Sequence, residues 1–256
     1  MINITDVSRH QGDIVWEALT SFFNAVWIRA GMSWGYEDPR FDLNWSKSRG
    51  KLPRGSYHVF FPLQDPKRQA DKWLEILDGD YGELGLAADV ELHHDANPLV
   101  FERNLRSYLI YLEDRTGIRP VIYSRASFFN AYITGSGRYN NPPKWYQDYD
   151  WWLAQYLRNP DLRHPGPVTL PIGVPRERVL IHQDSGSGVP IGVQSRELDY
   201  NHWEHTARCT LQEFIHEVSG TPEPTPEEPE PVPNQVDWTN IDAKYSELGN
   251  AIEEQK

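Results

Sequence analysis

The chain has 256 residues, 39% of them hydrophobic, and a formal net charge of −12. This length can bury one large core, or a core with a small appendage, and the acidic balance argues against nucleic acid as a partner because phosphates need a Lys/Arg footprint. No apolar run reaches the roughly 18 residues of a membrane span, and no signal peptide is visible. The single cysteine, Cys209, excludes an internal disulfide, and we expect it to be a small buried hydrophobe.

Strand and helix patterns alternate along the first two thirds of the chain. Apolar runs with β-branched or aromatic residues predict strands at 2–7, 25–30, 55–61, 86–92, 120–123, 151–156 and 179–183. Helical spacing predicts helices at 13–23, at 38–50 beginning on Asp38-Pro39, after the Asp65-Pro66 cap, at 98–115 and at about 202–218. Between the last two of these strands, proline-rich loops replace a clear helix.

This alternation predicts an α/β fold with parallel strands joined by right-handed crossovers. Seven or eight strands in about 200 residues suit a closed (β/α) barrel, similar to a TIM barrel, whose second half is short. In such barrels the chemistry lies at the C-terminal ends of the strands. Candidate site residues are therefore expected at those ends.

The stretch 86–94, LAADVELHH, brings two carboxylates to the end of a short apolar strand. Since strand side chains alternate with period two, Ala87, Asp89 and Glu91 share one face. Two like charges a few ångströms apart raise the pKa of at least one of them, which is what paired acid chemistry requires. The simpler alternative is a strand end with two solvated acids.

Acidic, tyrosine and glutamine side chains also follow the other strands. Asp6 ends the first strand and Tyr57 lies in the third, while Tyr123, Gln155 and Tyr156 end the fifth and sixth. A single polar residue at a strand end is weak evidence, but repetition at the same end of one barrel predicts an active site.

Six motifs in order resemble those of the glycoside hydrolase family 25 lysozymes, the Chalaropsis-type N-acetylmuramidases of phage endolysins and bacterial autolysins. They are DVSRHQG from Asp6, YHVF from Tyr57, DVE from Asp89, VIYS from Val121, WLAQY from Trp152 and LDYN from Leu198. The resemblance spans residues 2 to about 203. It implies a flattened, irregular barrel that cleaves the β-1,4 bond between N-acetylmuramic acid and N-acetylglucosamine in bacterial peptidoglycan.

The resemblance also implies action at the bacterial cell wall without a cofactor or metal. Because no signal peptide is visible, we expect a protein made in the cytoplasm and released by lysis or another route, with a phage or prophage origin.

Glycoside cleavage needs a protonated acid at the leaving oxygen and a negative group to support the cation that forms. We assign Glu91 as the general acid because it lies nearer the mouth, and Asp89 as the negative group. The family resemblance supports this pairing and adds Asp6 and Asp199 to a four-acid cluster. The candidate substrate-binding residues are Tyr57, Tyr123, Gln155, Tyr156 and Arg29.

The stereochemical outcome stays open at this point. Same-face neighbours on a strand are about 6.6 Å apart at the backbone, which is compatible with either a retaining or an inverting separation of the carboxyl groups. The spacing also suits a substrate-assisted route, in which the acetamido oxygen of the sugar attacks, and we favour this route.

Three alternatives remain from the sequence. Asp6, His58, Asp89, Glu91, His93 and His94 include ordinary ligand types and could form a metal site. A second alternative is a wall-binding or phage structural protein that has lost catalysis. A third is a hydrolase of another N-acetylated polysaccharide, because His182-Gln183-Asp184 stands where the family more usually has aromatic residues beside the glutamine.

The end of the chain differs in composition from the predicted catalytic domain, residues 1–218. Residues 219–256 hold nine acids and two lysines, a net charge of −7 that leaves −5 for the rest. Alternating prolines predict an extended linker at 219–235. Apolar residues recurring every three or four positions predict a short amphipathic helix at 236–256, through which the chain would self-associate or be tethered.

Overall fold

The computed structural model describes residues 2–134, 143–156 and 167–220. Nearly all of the predicted linker and the whole of the predicted helix at 236–256 lie outside these ranges. The described part contains nine strands and six α-helices, besides short 3-10 and π segments. The strands are β1 Asn3–Val7, β2 Ala25–Met32, β3 Tyr36–Glu37, β4 Arg54–Val59, β5 Gly85–Asp89, β6 Val121–Ser124, β7 Trp151–Ala154, β8 Val179–Gly188 and β9 Leu198–Trp203. The helices are α1 Trp16–Thr20, α2 Phe41–Ser48, α3 Pro66–Leu77, α4 Pro98–Thr116, α5 Ala126–Phe129 and α6 Leu211–Ser219.

Eight of these strands close a barrel in the order β1-β9-β8-β7-β6-β5-β4-β2, with β1 pairing again to β2. The two-residue strand β3 pairs with the end of β2 outside this ring. The predicted α/β barrel is therefore confirmed. Helices connect the strands in its first half, while the described residues that link β7, β8 and β9 form only the short 3-10 helix Arg176–Arg178, which makes the barrel irregular.

The expectation that every barrel strand is parallel was wrong for β9, which runs antiparallel to both β8 and β1. Residues 189–197 are too few for the crossover connection that parallel strands require, so the chain returns directly. The helix predicted at about 202–218 is present, but its start was wrong, because residues 202 and 203 belong to β9. The helix begins only at Leu211, where Thr210 and Glu213 form a reciprocal capping box.

The alternation predicted for β5 is confirmed by the packing. Ala87 belongs to the core inside the barrel, together with Trp27 and Trp152. Leu86 and Ala88 belong to the larger core between the barrel and its surrounding helices. Asp89, two residues after Ala87, therefore continues the inner face.

Helix starts were predicted unequally well. Asp65 caps α3 as expected, its Oδ1 accepting from the Lys67 amide at 2.8 Å. Helix α2 begins at Phe41 rather than at Pro39. The buried Asp38 accepts from the Arg40 amide through Oδ1 at 2.9 Å and from the Arg29 guanidinium through Oδ2 at 2.8 Å. The helix predicted at 13–23 shortens to α1, since Ile14 forms a β-bridge with Val193.

The packing of side chains inside the barrel requires a glycine at position 55. A Cβ on Gly55 would lie 2.3 Å from the ring of Trp27, which is fully buried and stacks on Trp152.

We expect Gly55→Ala to destabilise the protein by about 1–3 kcal/mol through overpacking. Gly35→Ala, where no atom lies within 4 Å of the added Cβ, is the matched control and should change stability by less than about 0.5 kcal/mol. Chemical denaturation of both variants measures this, and equal stability would mean that Trp27 is not confined by β4.

Candidate active site

An open cavity of about 290 Å³ lies at the barrel mouth where β1, β2, β4, β5, β6 and β8 end. Its lining is rich in acidic, aromatic and amide side chains. The lining residues are Asp6, Ser8, His10, Gln11, Arg29, Tyr57, Val59, Asp89, Glu91, Tyr123, Arg125, Trp152, Tyr156, Gln183 and Asp199. The cavity thus brings together eight of the nine predicted site residues.

Neighbouring strands hold the backbone between the two central carboxylates. The Val90 amide donates to the Tyr123 carbonyl at 2.9 Å, and the Val90 carbonyl accepts from the Ser124 hydroxyl at 2.6 Å. His94 and Asp95 then adopt left-handed backbone angles, with φ of 44° and 54°, and turn the chain away. Asp89 is consequently buried at the end of β5, and Glu91 stands exposed at the cavity rim.

Burial raises the pKa of Asp89 well above its usual range, and the charges of Glu91 and Asp6 raise it further. One oxygen of this carboxylate, Oδ1, is buried without a hydrogen-bond partner. The pKa of Glu91 is also raised by desolvation in the cavity, against the opposing charge of Arg125. Two adjacent carboxyl groups with raised pKa values can hold a proton at a pH where free carboxyl groups have lost theirs.

Asp6 and Asp199 face each other as register partners on β1 and β9. Asp6 Oδ2 accepts from Gln183 Nε2 at 3.0 Å and from Asn201 Nδ2 at 2.8 Å, yet burial still raises its pKa to about 6. Desolvation and the neighbouring Asp6 raise the pKa of Asp199 to about 8. The mouth therefore carries four carboxyl groups, all with raised pKa values.

Gln183 connects this acidic cluster to the aromatic wall. Its Oε1 accepts from the Tyr123 hydroxyl at 2.8 Å and from the Tyr156 hydroxyl at 3.2 Å. Arg125 lies over the Tyr156 ring, 5.0 Å from its centroid. These contacts fix the orientation of both tyrosines at the cavity wall.

Arg29 is held by an ion pair with Asp38, whose carboxylate lies 2.7 Å from the guanidinium. Tyr57 lies beside this guanidinium and among the acids, and burial raises its pKa well above its usual range. Tyr57 is therefore a neutral hydroxyl at the cavity wall.

Gln155 is the predicted site residue that the structure does not bring to the cavity. Its side-chain oxygen accepts from the Thr169 amide at 2.8 Å, outside the lining. The reason is the pleat of β7, since Trp152 and Ala154 belong to the inner core and residue 155 points to the other side. Gln183 provides an amide in the cavity instead, and Arg125 provides a cation, neither of which the sequence analysis assigned to the site. The signal for Gln183 was its place in the last parallel strand, two residues after Ile181 of the inner core.

The metal site considered around Asp89 and Glu91 is not assembled. His58 is buried away from the cavity, bonded to the Ser33 carbonyl at 2.8 Å and the Tyr108 hydroxyl at 2.9 Å. His93 stacks on Tyr132 and His94 on Phe61. Within residues 2–134, 143–156 and 167–220, the metal-ligand atoms that converge belong to another group, His182, His202 and Glu204.

None of the helices in the described ranges is both long and apolar enough to cross a membrane.

Comparisons with known proteins agree with this architecture. The uncharacterized protein YegX of Escherichia coli K12 is 30% identical over 225 residues, 85% of this chain and 74% of that protein. YegX of E. coli O6:H1 strain CFT073 is 31% identical over 164 residues, 61% of this chain but only 57% of the relative's own length. The crystal structure of a bacterial lysozyme from Streptomyces coelicolor is similar with a TM-score of 0.69 at 21% identity, over 86% of this chain and 98% of that one.

The family model for glycosyl hydrolases family 25 matches residues 5–180, more than half of the chain, from within β1 to the start of β8. This range includes both Asp89 and Glu91. The chain therefore belongs to family 25 of the glycosyl hydrolases and is a glycoside hydrolase.

Proposed function

We propose that this protein is a lysozyme, an N-acetylmuramidase that hydrolyses the β-1,4 bond between N-acetylmuramic acid and N-acetylglucosamine in peptidoglycan. The observation that carries the proposal is the pair at the end of β5. Asp89 is buried with one unpartnered carboxylate oxygen, and Glu91 lies exposed at the rim of the same open cavity. A glycoside hydrolase needs such a pair, one member to donate a proton and the other to support positive charge. Family membership and the fold shared with a bacterial lysozyme agree with it.

In the first step Glu91 donates its proton to the oxygen that leaves C1 of the muramic acid residue. The C1–O bond breaks while the acetamido oxygen of the same sugar forms a bond to C1, giving a cyclic oxazolinium ion. Asp89 accepts a hydrogen bond from the acetamido N–H through Oδ1 and stabilises the positive charge on this group. In this substrate-assisted route the two carboxyl groups have different tasks. The exposed Glu91 transfers the proton, and the buried Asp89 supports the positive charge.

In the second step Glu91, now ionised, removes a proton from water as the water oxygen attacks C1. The bond from C1 to the acetamido oxygen breaks, and the configuration at C1 is retained. Asp6 and Asp199 complete the acidic wall, while Tyr57, Tyr123 and Tyr156 bind hydroxyl and acetamido groups of the sugar. The hydrogen bonds from Tyr123 and Tyr156 to Gln183 orient both rings for this task.

The substrate assigns the place of action to the bacterial cell wall. Peptidoglycan is accordingly the partner that we propose. The phage or prophage origin and the self-association through residues 236–256 stay predictions from the sequence.

The proposal is tested by digesting purified peptidoglycan and identifying the new reducing ends by mass spectrometry. A reducing N-acetylmuramic acid supports the muramidase. A reducing N-acetylglucosamine, or turnover of chitin without turnover of peptidoglycan, contradicts it.

Glu91→Gln should abolish turnover, with at least about a 100-fold loss, because it keeps the volume of the side chain and removes the transferable proton. Binding to insoluble peptidoglycan and the melting temperature should stay close to those of the wild type. Wall-digestion rates and a pull-down with peptidoglycan measure the two effects. Glu102→Gln, on the outer helix α4, is a control that should retain turnover. Unchanged turnover in Glu91→Gln would mean that another group is the acid.

Asp89→Asn should lower turnover severely and move the alkaline limb of the pH–rate profile to lower pH. The Glu91 charge raises the pKa of Asp89, and the same repulsion acts on Glu91 whenever Asp89 is ionised. Removing the Asp89 charge therefore lowers the pKa of Glu91, which then loses its proton at lower pH. Residual turnover measured across pH tests this, and an alkaline limb at its wild-type position would show that the two groups are uncoupled.

The acidic wall should also make folding stability depend on pH. The folded-state pKa of Asp6 is raised to about 6 and that of Asp199 to about 8, both from 3.8, so the folded protein holds extra protons between about pH 4 and pH 8. These protons stabilise the folded state fully below about pH 4. The stabilisation is lost as the pH rises through the folded-state pKa values of about 6 and about 8. We expect Asp199→Asn to be more stable than the wild type near pH 8 and to lose less stability between pH 5 and pH 8.

Thermal unfolding of both proteins across this range measures the effect, with the exposed Asp42→Asn as the control for a simple change of net charge. Parallel curves for wild type and Asp199→Asn would contradict the assignment. We further expect Asp199→Asn to cost less turnover than Glu91→Gln, because Asp199 does not transfer a proton in the proposed steps.

A further inference from the structure

A second cluster of titratable side chains lies on the outer side of the barrel wall. His182 of β8 and His202 of β9 are register partners, and Glu204 follows β9 directly. Their chain neighbours Gln183 and Asn201 point inward to Asp6, so the two imidazoles point away from the cavity. All three side chains of the cluster are buried, with His182 fully buried.

The contacts around the two imidazoles show which nitrogen atom of each ring faces Glu204. His182 Nε2 lies 2.9 Å from the Gln155 carbonyl, which can only accept, so this nitrogen carries the hydrogen and Nδ1 keeps its lone pair. His182 Nδ1 is buried without a hydrogen-bond partner and lies 3.6 Å from Glu204 Oε1. On His202, Nδ1 lies 3.3 Å from Asp184 Oδ2, and Nε2 lies 3.6 Å from the same Glu204 oxygen. Two ring nitrogens and a carboxylate oxygen therefore converge.

We propose that His182, His202 and Glu204 bind one Zn²⁺ ion, through Nδ1 of His182, Nε2 of His202 and a carboxylate oxygen of Glu204. Two histidines and a glutamate are an established zinc ligand set, and bond lengths of 2.0–2.2 Å in a tetrahedron place ligand atoms about 3.4 Å apart. The 3.6 Å separations in the cluster are close to this value. The Gln155 carbonyl accepts from the outer nitrogen of His182, and the Asp184 carboxylate lies 3.3 Å from the outer nitrogen of His202, positions at which metal-binding imidazoles usually have an acceptor.

A proton competes with the metal ion for the His202 imidazole. Burial lowers the pKa of His202, but the carboxylates of Asp184 and Glu204 outweigh it and raise this pKa to about 9, which favours an imidazolium between two carboxylates in the metal-free cluster. That account leaves His182 Nδ1 unpartnered, whereas a metal ion uses all three convergent atoms. Zinc binding would replace the His202 proton.

The ion would act as a clamp rather than as a catalyst. It would link β8 and β9 where they pair, next to Gln183 and Asn201, which both donate to Asp6 Oδ2. The proposal is independent of the muramidase assignment, because metal binding is measured without substrate.

The test uses the full chain, stripped with a chelator and dialysed against Zn²⁺, with bound metal counted by mass spectrometry. We expect one Zn²⁺ per chain, the visible spectrum of tetrahedral Co²⁺ when cobalt replaces zinc, and a melting temperature raised by about 5–10 °C at a metal concentration 100-fold above Kd. Failure of the wild-type protein to bind either metal stoichiometrically overturns the proposal.

His202→Gln should abolish binding, and Asp184→Asn should weaken it by about 10–100-fold because it removes only the negative charge beside the outer nitrogen of His202. Asp184 is partly exposed, so its variant keeps the test valid if His202→Gln does not fold. His216→Gln, on α6 outside the cluster, and the double variant His93→Gln/His94→Gln are the controls and should bind as the wild type does. Wild-type affinity in either cluster variant, or loss of binding in a control, overturns the assignment.

Discussion

The pleat of the barrel strands is the constraint on which the site depends. Each strand gives alternate residues to the interior, and along several strands the first of these is apolar and the next is polar. The apolar layer fills the barrel and comprises Ile4, Trp27, Ala87, Val121 and Ile181. The polar layer, two residues further on, lines the cavity and comprises Asp6, Arg29, Asp89, Tyr123 and Gln183. The packing of the apolar layer thereby fixes how far along the barrel axis the side chains of the polar layer lie.

This constraint explains what the sequence could and could not predict. The two-residue alternation of strand side chains predicted that Asp89 and Glu91 lie together. This prediction needs no information on the other strands, because both residues lie on one short segment. The same argument, applied strictly to β7, would have excluded Gln155, since Trp152 and Ala154 occupy the inner face. Tyr156 has the parity of Trp152 and does line the cavity.

Features set by distant pairing were beyond the local pattern. The antiparallel direction of β9 follows from a connection too short for a crossover, and it brings Asp199 opposite Asp6 from the other end of the chain. Asp38 combines a local bond from the Arg40 amide with a bond from the Arg29 guanidinium on β2, which the helix pattern did not predict. In both cases a partner lies outside the local segment, and single-segment patterns carry no information on that partner.

The charge arrangement of the mouth raises the pKa values of its acids. Arg29, a cation that lies among them, is already paired with Asp38 at 2.7 Å, so it offsets the burial of Asp89 only in part. Asp6 receives its hydrogen bonds from the neutral amides of Gln183 and Asn201 rather than from a cation. Had Arg29 been free to pair with Asp89, the pKa of that carboxyl group would fall. Pairing Arg29 with Asp38 therefore leaves the pKa of Asp89 raised, so that Asp89 and Glu91 can together hold a proton at a pH where free carboxyl groups have lost theirs, while the raised carboxyl pKa values cost stability as pH rises.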